Sequence, residues 1–357
     1  MKKRIQIGAV LLLAAGMMLI FAVTGGTQPQ EEEEPEGTEQ PIEELLPEPA
    51  VVYRNPLTGL PTTKDLTKLR PVAVMLNNVK VAQPQLGVSQ ADIIYEIPAE
   101  GDVTRMIALF QSMEGVGDLG TIRSTRPYYL EVALGHDALL VHAGGSPEAY
   151  QDIKSWKVDN MDGVRGGSDA SIFWRDPERR RTKGYEHSLL TSGTNVQGYL
   201  DEGHFRLEHR SSFAYPQGFT EDGTPAEGAE ASRVEVRFSS YKTGVFEYDP
   251  QQGKYMVSQY GGPYVDGNTD EQVRITNLLV LETSIRVLDS EGRLRVSLGS
   301  GKGTFFCGGR SVPIRWEKGD RDDPFVYTLE DGSPLLLGQG TSYVCILNQN
   351  TGRVTVK

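Results

Sequence analysis

Residues 91–110, ADIIYEIPAEGDVTRMIALF, decide the fold. Ala91 to Ile97 and Val103 to Gln111 are apolar runs rich in β-branched residues, and the Pro-Ala-Glu-Gly-Asp stretch between them supplies turn chemistry, so the segment reads as two strands of a hairpin. Working outward, Pro71 to Leu76 (PVAVML) and Asp137 to His142 (DALLVH) read as two more buried strands. Helices are expected after Thr125, with Pro127 in the first turn, and after Ser146, with Pro147 in the first turn, because a hydroxyl cap followed by proline is a start signature. Residues 51–210 therefore predict a mixed sheet with flanking helices.

A turn-rich connection, residues 211–232, leads into residues 233–357, where short strand-like runs recur. Val234–Phe238, Gly244–Tyr248, Lys254–Ser258, Val273–Leu281, Leu294–Leu298, Phe305–Cys307, Val312–Trp316, Phe325–Leu329 and Ser342–Leu347 are separated by turns such as Asp289-Ser290-Glu291-Gly292. That spacing predicts a mostly antiparallel β region. The fold class is mixed α+β (α/β), and the absence of a fixed repeat argues against a propeller or solenoid.

The N-terminus speaks for location. Lys2, Lys3 and Arg4 precede an apolar run from Ile7 to Val23, which predicts that the chain beyond is exported, since basic residues beside a span resist translocation. The run approaches the length that crosses a hydrocarbon core, so residues 1–26 read as an uncleaved membrane anchor, with a cleaved signal peptide and a secreted chain as the alternative. Residues 27–50, rich in Glu and Pro, read as an extended acidic tether. Residues 1–49 hold nine Glu and three basic residues, a net of −6 out of −12 for the whole chain, which leaves −12 − (−6) = −6 for the rest. A mildly acidic body gives no support to nucleic-acid binding.

Familiar catalytic and cofactor signatures are absent: no Gly-x-Ser-x-Gly elbow, no His-Glu-x-x-His, no P-loop and no dinucleotide fingerprint. No cofactor and no metal are expected. Asp266-Gly267-Asn268-Thr269-Asp270 begins like a calcium loop, but Glu271 and Asn277 stand where glycine and a bidentate carboxylate belong, so it reads as a tight turn. His204 and His209, in a charged, turn-like stretch, read as solvated surface. The two cysteines, Cys307 and Cys345, can pair in an oxidising exterior or remain buried thiols.

Polar residues gather at the ends of the strands in the first half. Glu96, Glu100 and Arg105 flank the hairpin; Arg123, Ser124 and Arg126 open one helix; His142, Gly144, Gly145 and Ser146 open another. Helix starts favour anions, and arginine adds bidentate geometry, so the group suits a carboxylate or phosphate. Each residue also has a plainer reading: Ser146 as a helix cap, the arginines as partners of Glu96 or Glu100, His142 as a satisfied core histidine. His187, in a loop after the basic run Arg179-Arg180-Arg181, is counted with this group as a candidate ligand-binding residue, while the basic run itself reads as solvated surface.

In order, Asn55-Pro56-Leu57-Thr58-Gly59-Leu60, Arg70-Pro71-Val72-Ala73-Val74-Met75-Leu76-Asn77-Asn78, Ala91-Asp92-Ile93-Ile94-Tyr95-Glu96, Glu100-Gly101 with Thr104-Arg105, Ile122-Arg123-Ser124 with Arg126, and His142-Ala143-Gly144-Gly145-Ser146 resemble the YerB-like family of exported bacterial proteins. Gly262-Pro263-Tyr264-Val265-Asp266, Asn277, Gly301-Lys302-Gly303 and Trp316 extend the resemblance to the C-terminal half. It implies a two-region α/β architecture, on a chain that is usually lipid-anchored in Gram-positive bacteria, and implies no reaction. Two departures stand out. The lipobox cysteine of many members is absent, and Glu186-His187-Ser188 replaces their Pro-His-Asn.

The leading expectation is a membrane-tethered extracytoplasmic module that binds an anionic cell-envelope ligand. The alternative is a cell-wall hydrolase or transferase with Glu100 or His142 as general base and the arginines stabilising developing charge. A third reading is a scaffold for an envelope protein.

Overall fold

The computed structural model describes residues 52–357. The anchor and tether readings, residues 1–50, lie outside the described residues. The strands expected in the first half form as Val72–Asn77 (β1), Ile93–Pro98 (β2), Thr104–Phe110 (β3) and Leu139–His142 (β4), followed by Asn160–Asp162 (β5). The α-helices among the described residues are Pro127–Gly135 (α1), Pro147–Trp156 (α2), Pro177–Lys183 (α3) and Gly193–Asp201 (α4). The second half supplies Arg233–Arg237 (β6), Thr243–Asp249 (β7), Lys254–Gln259 (β8), Asn277–Thr283 (β9), Ser300–Cys307 (β10), Arg310–Lys318 (β11), Phe325–Leu329 (β12), Ser342–Asn348 (β13) and Arg353–Val356 (β14). The protein is a mixed α+β fold.

One large sheet draws on both halves, in the order β11-β10-β9-β13-β2-β3-β1-β4-β5, with β12 and Ala229–Glu230 also paired to β11. The join is parallel: β9 pairs with β13, and β13 with β2. The C-terminal region is mostly antiparallel as expected, and β13 departs from that pattern, inserting in parallel between β9 and the N-terminal hairpin. Its backbone groups are thereby paired on both sides, as a central buried strand requires.

The alternation of side chains explains why β1 is apolar throughout. Val72, Val74 and Leu76 enter one core, while Ala73 and Met75 enter the other. The first core lies against a second sheet built around β6, β7, β8 and β14, which contributes Val234, Val236, Phe246, Tyr255 and Val257. The second core lies under α1 and α2, with Tyr128, Tyr129, Leu130, Val132, Ala133 and Ala149.

Helix α2 begins as expected, because Ser146 Oγ accepts from the Ala149 amide at 3.1 Å. Helix α1 differs: its N-cap is Arg126, not Thr125, and no side chain caps it. Ser146→Ala should therefore cost about 1 kcal/mol in denaturant unfolding and Ser146→Gly only a few tenths. No loss in Ser146→Ala would show that the hydroxyl contributes nothing.

The disulfide option closes. Cys307 and Cys345 are buried free thiols. They belong to the cores on opposite faces of the large sheet, on β10 and β13 with β9 between them, so their Cβ vectors diverge.

Candidate functional site

Strands β1, β4 and β5 run parallel, and their carboxyl ends form one edge of the sheet, where ligands of open α/β folds gather. Arg105 opens β3 directly opposite Asn77, the last residue of β1. The segment 122–125 bridges the ends of β1 and β4: the Arg123 amide donates to Met75 O at 3.0 Å, the Ala143 amide to Arg123 O at 3.0 Å, and the Thr125 amide to Gly144 O at 3.0 Å. Backbone pairing alone thus places Arg105, Arg123 and Arg126 along one edge.

Two guanidinium groups meet there around one inner carboxylate, and a third, Arg123, pairs with a different one. Arg126 Nε donates to Glu100 Oε1, and Arg105 Nη2 lies 3.2 Å from Glu100 Oε2. Arg123 Nη1 reaches Glu186 Oε2 at 3.3 Å, across an exposed pair. Burial pushes the Glu100 pKa up, but the Arg126 hydrogen bond and the charges of Arg105 and Arg126 outweigh it and hold the carboxyl below its usual range. For Arg105, burial and then the nearby Arg126 charge pull the guanidinium below its ordinary value. Its side chain is 10 % exposed, and Nη1 is buried without an acceptor.

His187 joins this edge from the turn Tyr185–His187. Its Nδ1 accepts from Asn77 Nδ2 at 2.9 Å, an orientation supported by Asn77 Oδ1 accepting from the Val79 amide. Partial burial, followed by the Arg123 charge, lowers its pKa, so the ring is neutral near neutral pH.

Glu96 does not join the arginines. It shares the Ile94 face of β2, whereas Arg105 shares the Ile107 face of β3, so the two side chains leave the sheet on opposite sides. Glu96 Oε1 accepts from Asn78 Nδ2 at 2.9 Å and Thr104 Oγ1 at 2.6 Å, and Oε2 from Tyr343 at 2.6 Å; Lys242 Nζ lies 3.1 Å from Oε1. It is a buried ion pair between the two sheets.

The HAGGS segment is spent on internal bonds. His142 is fully buried, with Nδ1 2.8 Å from Gly144 O and Nε2 3.1 Å from Asn160 Oδ1. Both ring nitrogens face oxygen acceptors, so His142 has no lone pair directed at a substrate. Gly144, at φ +81°, turns its amide to Asp162 Oδ1 at 2.8 Å; Ser124 Oγ donates to Ala143 O at 3.1 Å; Gly145 bridges Thr125; Ser146 is the α2 cap. The general-base assignments to Glu100 and His142 therefore lack support, one being held as an ionised carboxylate between guanidinium groups and the other enclosed.

Two surface readings also change. The His209 side chain is only 6 % exposed, 3.2 Å from Asp137 Oδ2 and 2.8 Å from the Tyr215 hydroxyl. Arg179 of α3 is not simply solvated, since it donates to Ala82 O at 3.1 Å and Pro84 O at 2.5 Å. Asp266, in a turn as expected, accepts from the Gly87 and Ser89 amides at 3.1 and 2.7 Å and so ties that loop down. Lys242 and Gln259 escaped sequence reasoning, because a lysine next to Ser239-Ser240-Tyr241 looks like a solvated turn. The clefts lined by Arg210–Ala214 with Asp320–Pro324, and by α1 and α2 residues with Leu294–Gly299, contain none of the three arginines.

Comparison with known proteins agrees with this architecture. A family model described as "Protein of unknown function (DUF3048) N-terminal domain" matches residues 57–206, and its C-terminal counterpart matches residues 234–344. YerB of Bacillus subtilis (strain 168), described as a candidate lipoprotein, is 32% identical over 277 residues, 77% of this chain and 81% of that protein. The crystal structure of the YerB protein from Bacillus subtilis is similar with a TM-score of 0.72 at 28% identity, covering 85% of this chain and 99% of that one. The chain therefore belongs to the DUF3048 family, with the strands of both family regions joined in one sheet.

Proposed function

We propose that residues 52–357 are an extracytoplasmic binding module held at the membrane by the N-terminal segment, and that Arg105, Arg123 and Arg126 take an anionic envelope ligand. The location rests on the basic-then-apolar N-terminus and on the lipoprotein description of the Bacillus relative. Among the described residues no helix is long and apolar enough to cross a membrane, so any anchorage falls to the N-terminal segment.

The single observation carrying the ligand reading is the charge balance at the sheet edge. Three guanidinium groups share two carboxylates, and the buried Nη1 of Arg105 lacks an acceptor. A carboxylate or phosphate entering beside Arg123 gains charge-assisted bonds that water at an exposed pair does not offer. The Arg123–Glu186 contact is the point of entry, since Glu186 is largely exposed and such a pair contributes little by itself.

Co-sedimentation of the full chain with purified wall fragments tests this reading. Arg123→Ala should weaken retention by about 1.5–3 kcal/mol, the scale of a bond to a charged group. Glu186→Gln should leave retention unchanged or strengthen it by freeing Arg123. Unchanged retention in Arg123→Ala removes the site.

A further inference from the structure

Between the two sheets an amine, an acid and two carboxamides are shut away together. Lys242 is 1 % exposed; its Nζ donates to Gln259 Oε1 and lies 3.1 Å from Glu96 Oε1. Gln259 is 4 % exposed, and its Nε2 has no hydrogen-bond partner. Asn78 holds the same Glu96 oxygen through Nδ2. Tyr260 presents its ring 5.1 Å from the ammonium.

A buried ion pair alone does not require a carboxamide with an orphaned nitrogen at the amine. Burial lowers the Lys242 pKa, so its neutral, nucleophilic form is accessible. Strand pairing fixes the approach, because Gly244 of β7 is the register partner of Gln259 of β8 and Lys242 stands just before that strand.

We propose that Lys242 and Gln259 become joined by an intramolecular amide bond, with Glu96 as the proton carrier. The Glu96 carboxylate takes a proton from the Lys242 ammonium, and the freed amine attacks Gln259 Cδ. As the tetrahedral intermediate collapses, protonated Glu96 gives its proton to the departing nitrogen, and the carboxylate so regenerated takes the second proton from the attacking nitrogen, leaving a neutral amide and a protonated Glu96. The Nζ–Cδ bond forms, the Cδ–Nε2 bond breaks, and one ammonia leaves, with no oxidant or external reactant. Asn78, Thr104 and Tyr343 position Glu96 and do not react. The product is a covalent tie across the β7–β8 hairpin.

Mass spectrometry of the full chain is decisive. The expected result is a mass one ammonia below that of the sequence, and a branched proteolytic peptide joining Lys242 to Gln259. The branched peptide is the deciding readout, because cyclisation elsewhere in the chain can also release ammonia. Lys242 and Gln259 in separate peptides, or Lys242 bonded to Asn78 instead, overturns the assignment. Glu96→Gln that folds, as judged by circular dichroism, should lose the branched peptide; its persistence overturns the role of Glu96. Lys242→Arg keeps the buried charge, and should likewise lack the branch.

Discussion

A His136→Gln variant is expected to lose less stability than the parent on acidification, by roughly 3 kcal/mol between about pH 7 and about pH 4. His136 is buried, its Nε2 lies 2.9 Å from the Tyr95 hydroxyl, and its ring meets the Tyr95 ring edge-on. Burial, and then the charges of Lys318 and His209, push its pKa down to about 3. The unfolded chain takes up this proton below about pH 6.5, whereas the folded chain resists until near pH 3, so the unfolded state binds more protons throughout that window. The contribution is complete above the unfolded value and declines by at most about 1.4 kcal/mol per pH unit as the pH falls.

The difference between variant and parent matters here because a second buried group works the other way. Burial lifts Asp92 to about 6 against hydrogen bonds from the Gln111 amide and Asn55, so its protonated form is favoured in the fold and stability rises as the pH falls from about 6 towards 4. In the parent the two effects largely offset. Below about pH 4 Asp137 takes over: burial raises its pKa, but bonds from His209, Arg206 and the Arg210 amide, with the Arg70 charge, hold it well below the usual range. Its depressed pKa stabilises the fold above the unfolded value, and that contribution disappears in acid. Denaturant unfolding at several pH values should show diverging curves for His136→Gln and parent; parallel curves would mean that the ring protonates equally in both states.

The same residues show where sequence reasoning reaches and where it stops. Strands β1 to β4 were legible because their apolar, β-branched runs carry their own period and end at turn residues, a purely local signal. The α2 cap was legible for the same reason. The insertion of β13 between β9 and β2 was not, because Ser342 pairs with both Asn277 and Ile93, and nothing near any of the three announces so distant a partner. Local alternation in Val273–Leu281 and Ser342–Leu347 fits parallel and antiparallel neighbours equally well.

At the site, three arginines were picked out as a group and do gather, because each lies within a few residues of a strand end or a helix start. Glu96 was grouped with them and lies across the sheet. The period of two holds the explanation: Arg105 pairs with Ile97 and shares its face, so Glu96, one residue before Ile97, points to the other face. Register is the missing quantity, and the hairpin turn sets it. Gly301, by contrast, has a cause that only packing reveals, since a Cβ there would meet Trp316 Nε1 at 2.7 Å. Gly301 and Lys302 thus form part of the seat of Trp316, whose Nε1 donates to Lys302 O at 3.1 Å, whereas a Cβ at Gly303 would meet Val280 O at 2.7 Å.

Glu100→Ala should destabilise the folded unit by about 3–5 kcal/mol, because it removes the carboxylate that pairs with both Arg105 and Arg126 and leaves buried positive charge uncompensated. The loss is large because both guanidinium groups are largely buried, with side chains 10 % and 13 % exposed. This variant also separates an internal network from a binding site. If the arginines are built for an external anion, inorganic phosphate occupies the vacated carboxylate position, and binding restores stability as RT ln(1 + [L]/Kd), about 2.7 kcal/mol at a hundredfold excess over Kd. Phosphate also stabilises folded proteins generally by exclusion from their surface, but that effect acts alike on parent and variant. The telling quantity is therefore the extra shift of the variant over the parent in thermal unfolding with phosphate against chloride at equal ionic strength. A surplus shift, abolished by adding Arg105→Met to Glu100→Ala, supports an anion seat at this edge. Equal shifts in parent and Glu100→Ala would make the arginines a sealed structural network, and the ligand-binding proposal would fall with them.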